Sequence, residues 1–98
     1  MDNRMNCCGE MKFVLVETCY ACPEQYDVYL YNKQVGYMRL RHHMFSCDFR
    51  RCGETELYCS NVKSDGRFDD DEREFYIEEA LKEIAKKLGI DKFTYEIR

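Results

Sequence analysis

At 98 residues the chain has room for one domain with a modest core. It is 45% hydrophobic, 14% aromatic and 35% charged, with one Pro and five Gly, which excludes a disordered tail, a collagen-like chain and a low-complexity linker. No apolar run approaches the ~20 residues of a bilayer span. The balance of 15 Lys+Arg against 19 Asp+Glu gives a net charge of −4, the wrong sign for a general nucleic-acid surface.

Residues 1–10, MDNRMNCCGE, read as a loosely held extension, and residues 11–98 as a single α+β domain. The extension lacks the apolar stretch of a signal peptide, so a cytoplasmic, reducing setting is expected. The seven cysteines then read as thiols or metal ligands rather than a disulfide framework.

In chain order, residues 12–20 (KFVLVETCY) predict a buried strand that Pro23 interrupts. Residues 26–31 alternate, with Tyr26, Val28 and Leu30 on one face and Asp27, Tyr29 and Tyr31 on the other. Asn32-Lys33 is the expected two-residue turn. Residues 34–42 return, with Met38 and Leu40 on one face and Tyr37, Arg39 and Arg41 on the other. Phe45, Cys47 and Phe49 share a face of a further strand at 44–49, and residues 55–62 form the next, with Leu57 and Cys59 on one side. The short connections make residues 26–62 an antiparallel meander.

Ser64-Asp65-Gly66-Arg67 signals a turn before a long helix at about 70–88. Asp69 or Asp70 is its expected cap, and acidic residues in its first turn complement the helix dipole. Ile77, Leu81, Ile84 and Leu88 recur at helical spacing, with Phe75, Ala80 and Ala85 assisting, and Gly89 ends the run. Phe93, Tyr95 and Ile97 alternate on a short final strand. The expected architecture is a mostly antiparallel sheet of about five strands with the helix on one face.

Four clusters bear on function. Cys19-x-x-Cys22 has the spacing of a zinc knuckle or redox pair, and Cys47 with Cys52 would complete a tetrahedral thiolate set. The competing reading makes Cys47 and Cys59 small buried apolar residues, so no cofactor is expected, with zinc as the alternative. Arg39, Arg41 and His43 form a basic cluster able to hold an anion, because guanidinium forks match its oxygens. Tyr29, Tyr31 and Tyr37 add rings that suit an interface. Asp70, Asp71, Glu74 and Glu78 make the helix face acidic beyond the needs of capping, which suits a basic protein partner.

The segment NKQVGYMRLR also resembles the hairpin strand of GNAT-type acetyltransferases, and Arg50-x-x-Gly53 resembles the start of their pyrophosphate-binding loop. The final small residue of that loop is Thr55 here, and a strand rather than a helix is expected to follow. The resemblance implies acyl transfer with an anion site at Arg39, Arg41 and His43.

No nucleophile, base and orienting group stand together in the pattern. The reading is therefore a non-enzymatic interaction module, an inhibitor or adaptor of a protein partner, with no membrane contact and no direct nucleic-acid binding. A homodimer through the Phe93–Ile97 edge is a further option.

Overall fold

The computed structural model describes residues 11–19 and 23–98. Six strands and one helix follow in the order β1 (Met11–Glu17), β2 (Glu24–Leu30), β3 (Lys33–Arg41), β4 (Met44–Phe49), β5 (Thr55–Asn61), α1 (Asp70–Leu88) and β6 (Phe93–Ile97). They form one sheet in the spatial order β5-β4-β3-β2-β1-β6. The meander expected over residues 26–62 is present, and β1 extends it antiparallel to β2. Only β6 runs parallel to its neighbour, β1, and α1 lies in the crossover that a parallel pairing requires.

Alternation decides the layers. Phe13 and Leu15 of β1, Tyr26 and Val28 of β2, Met38 and Leu40 of β3, and Phe45 and Cys47 of β4 all point to one face and are buried. Against them α1 lays Ile77, Ala80, Leu81, Ile84 and Ala85. Full burial of each larger aliphatic side chain is worth about 1.5–3 kcal/mol. Gly36 lies beneath the helix, where a Cβ would come within 2.5 Å of Ile84 Cδ1 and 3.3 Å of Val28 Cβ. At the sheet's other end Phe45, Phe68 and Tyr76 form an aromatic cluster, with Phe68 and Tyr76 stacked at 5.6 Å.

Several local expectations are corrected. The first hairpin turns one residue earlier than the sequence suggests: Leu30 pairs with Lys33, and Tyr31 and Asn32 hold the turn at φ 52° and 65°. Such a left-handed pair matches strand twist, but it places an aromatic residue where Asn or Gly is the norm. His42 and His43 form the next two-residue turn in the same way, at φ 55° and 60°, so His42 is not part of the strand.

Phe75 is exposed rather than part of the core, because it lies two positions before Ile77 and so on the opposite side of the helix. A register shift in the β4–β5 pairing sets Tyr58 opposite Cys47. Leu57 and Tyr58 both pack partly against the core, and Cys59 is exposed instead of buried.

Helix ends follow their chemistry at one terminus more than at the other. Gly89 takes φ 76°, and the N–H groups of Gly89 and Ile90 close onto carbonyls of the last turn. Asp69 stands at the N-cap, but its side chain makes no cap hydrogen bond, and Asp70 pairs with Arg73 instead.

Candidate functional site

The sheet face opposite α1 carries no covering layer among the described residues. Register places Tyr29, Tyr37, Arg39 and Arg41 there, as expected. Tyr37 lies between Asp27 and Asp48, and Arg39 between Gln25 and Ser46. The Tyr37 hydroxyl donates to Gln25 Oε1 at 3.0 Å, and Gln25 Nε2 donates onward to Thr18 Oγ1 at 3.2 Å. This chain of contacts holds the Tyr37 ring across β2 and β3.

Arg39 and Arg41 have no carboxylate partner among the described residues, and with His42, Met44 and Ser46 they line a depression of about 280 Å³. His43 is not part of it. Its N–H donates to Asp65 Oδ1 at 3.2 Å, and its Nδ1 lies 3.1 Å from the Lys63 carbonyl. The turn therefore sends His42 toward the arginines and ties His43 to the segment before α1.

The opposite half of this face is more apolar. Val14, Val16, Tyr29 and Tyr31 border a second depression of about 440 Å³. Beside it Glu96 bridges Lys12 and Arg98, each 2.5 Å away, and hydrogen bonds from both hold its carboxyl at about 2.

The acidic residues of α1 divide into two groups. Glu79 and Glu83 pair with Lys82 and Lys86 one turn on, and Asp70 with Arg73. Asp71, Glu74 and Glu78 have no ion-pair partner among the described residues. Net negative charge thus concentrates on the first half of the helix, next to the exposed ring of Phe75.

The thiols stand apart. Cys47 faces the core of β4, and β1, which leads to Cys19, is three strand steps away, about 14 Å at ~4.8 Å per step. Cys52 is exposed beyond the far end of β4, and Cys22 lies outside the described residues. Among the described residues no group of three or more His, Cys, Asp or Glu is placed to hold a metal ion. Burial, with Asp48 and Glu83 adding to it, pushes the Cys47 thiol up to about 12. Among Cys47, Cys52 and Cys59, alkylation of the native protein at pH 8 should therefore modify the exposed Cys52 and Cys59 well before Cys47. Cys47 should react only on unfolding. Peptide mapping checks this order, and rapid native labelling of Cys47 would contradict it.

Sequence pattern did not reveal a buried ionic cluster behind the site. Glu24 has a fully buried side chain, yet it follows Pro23 in what reads as a loop. Its carboxylate accepts from Arg73 Nε at 2.7 Å, from the Phe68 N–H at 2.9 Å and from the Tyr26 hydroxyl. Arg73 also donates to the Phe68 carbonyl at 2.8 Å. Burial pushes this carboxyl upward, but the bonds from Arg73, Tyr26 and the Phe68 amide outweigh it and hold the group below its ordinary value. With its oxygens saturated by donors, Glu24 serves as a clamp between sheet and helix, not as a base.

The segment after Gly53 is strand β5, so no helix N-terminus follows the Arg50–Gly53 turn to receive cofactor phosphates. No family model matches the chain, and neither does any curated protein or solved structure.

Proposed function

We propose that this chain is a non-enzymatic binding module, acting in the cytoplasm, that engages a protein partner through the uncovered sheet face and the acidic first half of α1. The observation that carries the reading is this sheet face, left without a covering layer among the described residues. It carries Tyr29, Tyr37, Arg39 and Arg41, residue types that dominate interface energetics. Asp71, Glu74 and Glu78 favour a basic partner and would act mainly on the rate of encounter.

Affinity capture with cross-linking identifies the partner, and two variants then separate the surfaces. Reversing Asp71, Glu74 and Glu78 to Lys leaves the Asp70–Arg73–Glu24 contacts in place. It should slow association roughly tenfold and flatten its dependence on salt. Tyr37→Ala with Arg39→Ala should instead speed dissociation by about tenfold or more. An unchanged association rate would remove the acidic helix from the interface, and an unchanged dissociation rate would remove the sheet face.

The depression at Arg39, Arg41, His42 and Ser46 supports a second reading, a small-anion site, for which thermal stabilisation by the anion would vanish in the Arg39 variant.

A further inference from the structure

A separate cavity of about 380 Å³ opens on the helix side of the sheet, where β2, β3 and β4 meet the end of α1. Its walls are Met11, Leu30, Val35, Phe49, Leu88 and Ile90, and Lys33, Gln34 and Arg50 supply its polar contacts. No carboxylate lines it, in a chain whose net charge is −4. Lys33 and Arg50 have no acidic partner among the described residues. A third cation stands close, since Lys87 Nζ lies 5.8 Å from the Phe49 ring centroid and Arg50 Cζ 5.2 Å from it.

Two backbone features shape the mouth. Tyr31 and Arg50 both line it with left-handed φ, 52° and 70°, a conformation that bulky residues seldom adopt. Tyr31 Oη donates to Met11 Sδ at 3.2 Å across the opening. The negative end of the α1 dipole lies here, where the carbonyls of Ala85 and Lys86 accept from Gly89 and Ile90 and the cations Lys86 and Lys87 stand in the last turn.

An apolar cavity of ligand size with cations and no anions at its rim suits one kind of small molecule. We infer that this cavity binds a monocarboxylate with an unbranched alkyl chain, a medium-chain fatty acid, with the chain against Val35, Phe49 and Ile90 and the carboxylate at Lys33 and Arg50. The cavity lies on the helix side of the sheet and shares only Tyr31 with the depression on the opposite face, away from Tyr37, Arg39 and Arg41.

The test is a titration of the full chain with sodium decanoate followed by NMR, with decanol as the uncharged control. Shifts should concentrate at Met11, Leu30, Val35, Phe49, Leu88 and Ile90, and decanoate should bind more tightly than decanol. Lys33→Gln with Arg50→Asn should weaken decanoate roughly tenfold or more and leave decanol unchanged. Asn suits the left-handed backbone at position 50, so this variant keeps the turn. Equal affinity for the two ligands, shifts confined to the Val14–Tyr29 side of the sheet, or no shifts at millimolar decanoate would each overturn the inference. So would binding that appears only after residues 1–10 are removed, since the occupant would then be the chain's own N-terminal segment.

Discussion

Glu24→Ala should cost about 3–5 kcal/mol of folding stability, the loss expected when one partner of a buried ion pair is removed and the other stays behind. That is a large share of the ~5–15 kcal/mol that holds a domain of this size. The carboxylate joins β2 to a stretch of chain 44 to 49 residues further on. It sits on β2, accepts from the Phe68 amide in the segment before the helix, and pairs with Arg73, 49 residues away in the first turns of α1. Chemical denaturation measures the cost, and a loss under about 1 kcal/mol would mean that water replaces these contacts. Arg73→Ala should be strongly non-additive with Glu24→Ala, with a coupling of about 0.5–3 kcal/mol.

The same clamp sets a dependence on pH. In the folded protein Glu24 titrates below its ordinary value of 4.5, because the bonds from Arg73, Tyr26 and Phe68 outweigh the upward push of burial. Its contribution is therefore complete above pH 4.5 and is lost as the pH falls from there through the lower folded value. Glu24→Gln removes this titration. Its stability should then fall less steeply in acid than that of the wild type, and parallel acid limbs would show that other carboxylates control the transition.

Gly36→Ala should destabilise by about 1–3 kcal/mol through overpacking, although Ala normally suits a strand better than Gly does. The new Cβ meets Ile84 Cδ1 at 2.5 Å, and Val28 Cβ at 3.3 Å blocks retreat toward β2. Ile84→Val removes the offending methyl and by itself should cost about 0.5–1.5 kcal/mol. Combined, the two substitutions should be less harmful than their sum, because the added methyl fills the space the other vacates. Thermal unfolding of the four proteins tests this. Simple additivity would mean that α1 shifts as a body rather than clashing at one atom.

Residue pattern made much of the architecture legible. Alternation of Tyr26, Val28, Met38, Leu40, Phe45 and Cys47 marked the buried face, because a half-covered strand must repeat every second residue. The same alternation placed Tyr29, Tyr37, Arg39 and Arg41 together on the other face. Ile77, Leu81 and Ile84 marked the buried stripe of α1 by the spacing of a helical turn. Phe75 is apolar enough to suggest the same stripe, but helical spacing puts it on the outside.

Turn positions were harder to read, since Tyr31 gives no sign that it will adopt a left-handed conformation. The extra residue near Val35 shifts the register between β2 and β3, and the hairpin closes at Leu30 and Lys33. The pattern groups His43 with Arg39 and Arg41, but the turn carries it to Lys63 and Asp65 and sets His42 beside the arginines instead.

What the chain determines by itself is therefore local: strand and helix periods, the buried side of each element, the acidic start of α1 and the aromatic, basic side of the sheet. Each follows from spacing along a single element. Only the tertiary structure decides which distant groups meet, because pairing across space leaves no period in the sequence. It buries Glu24 against Arg73, lays β6 parallel to β1 through the α1 crossover, and separates Cys47 from Cys19 by three strand steps. It also gathers Lys33, Arg50 and Ile90 around one apolar cavity.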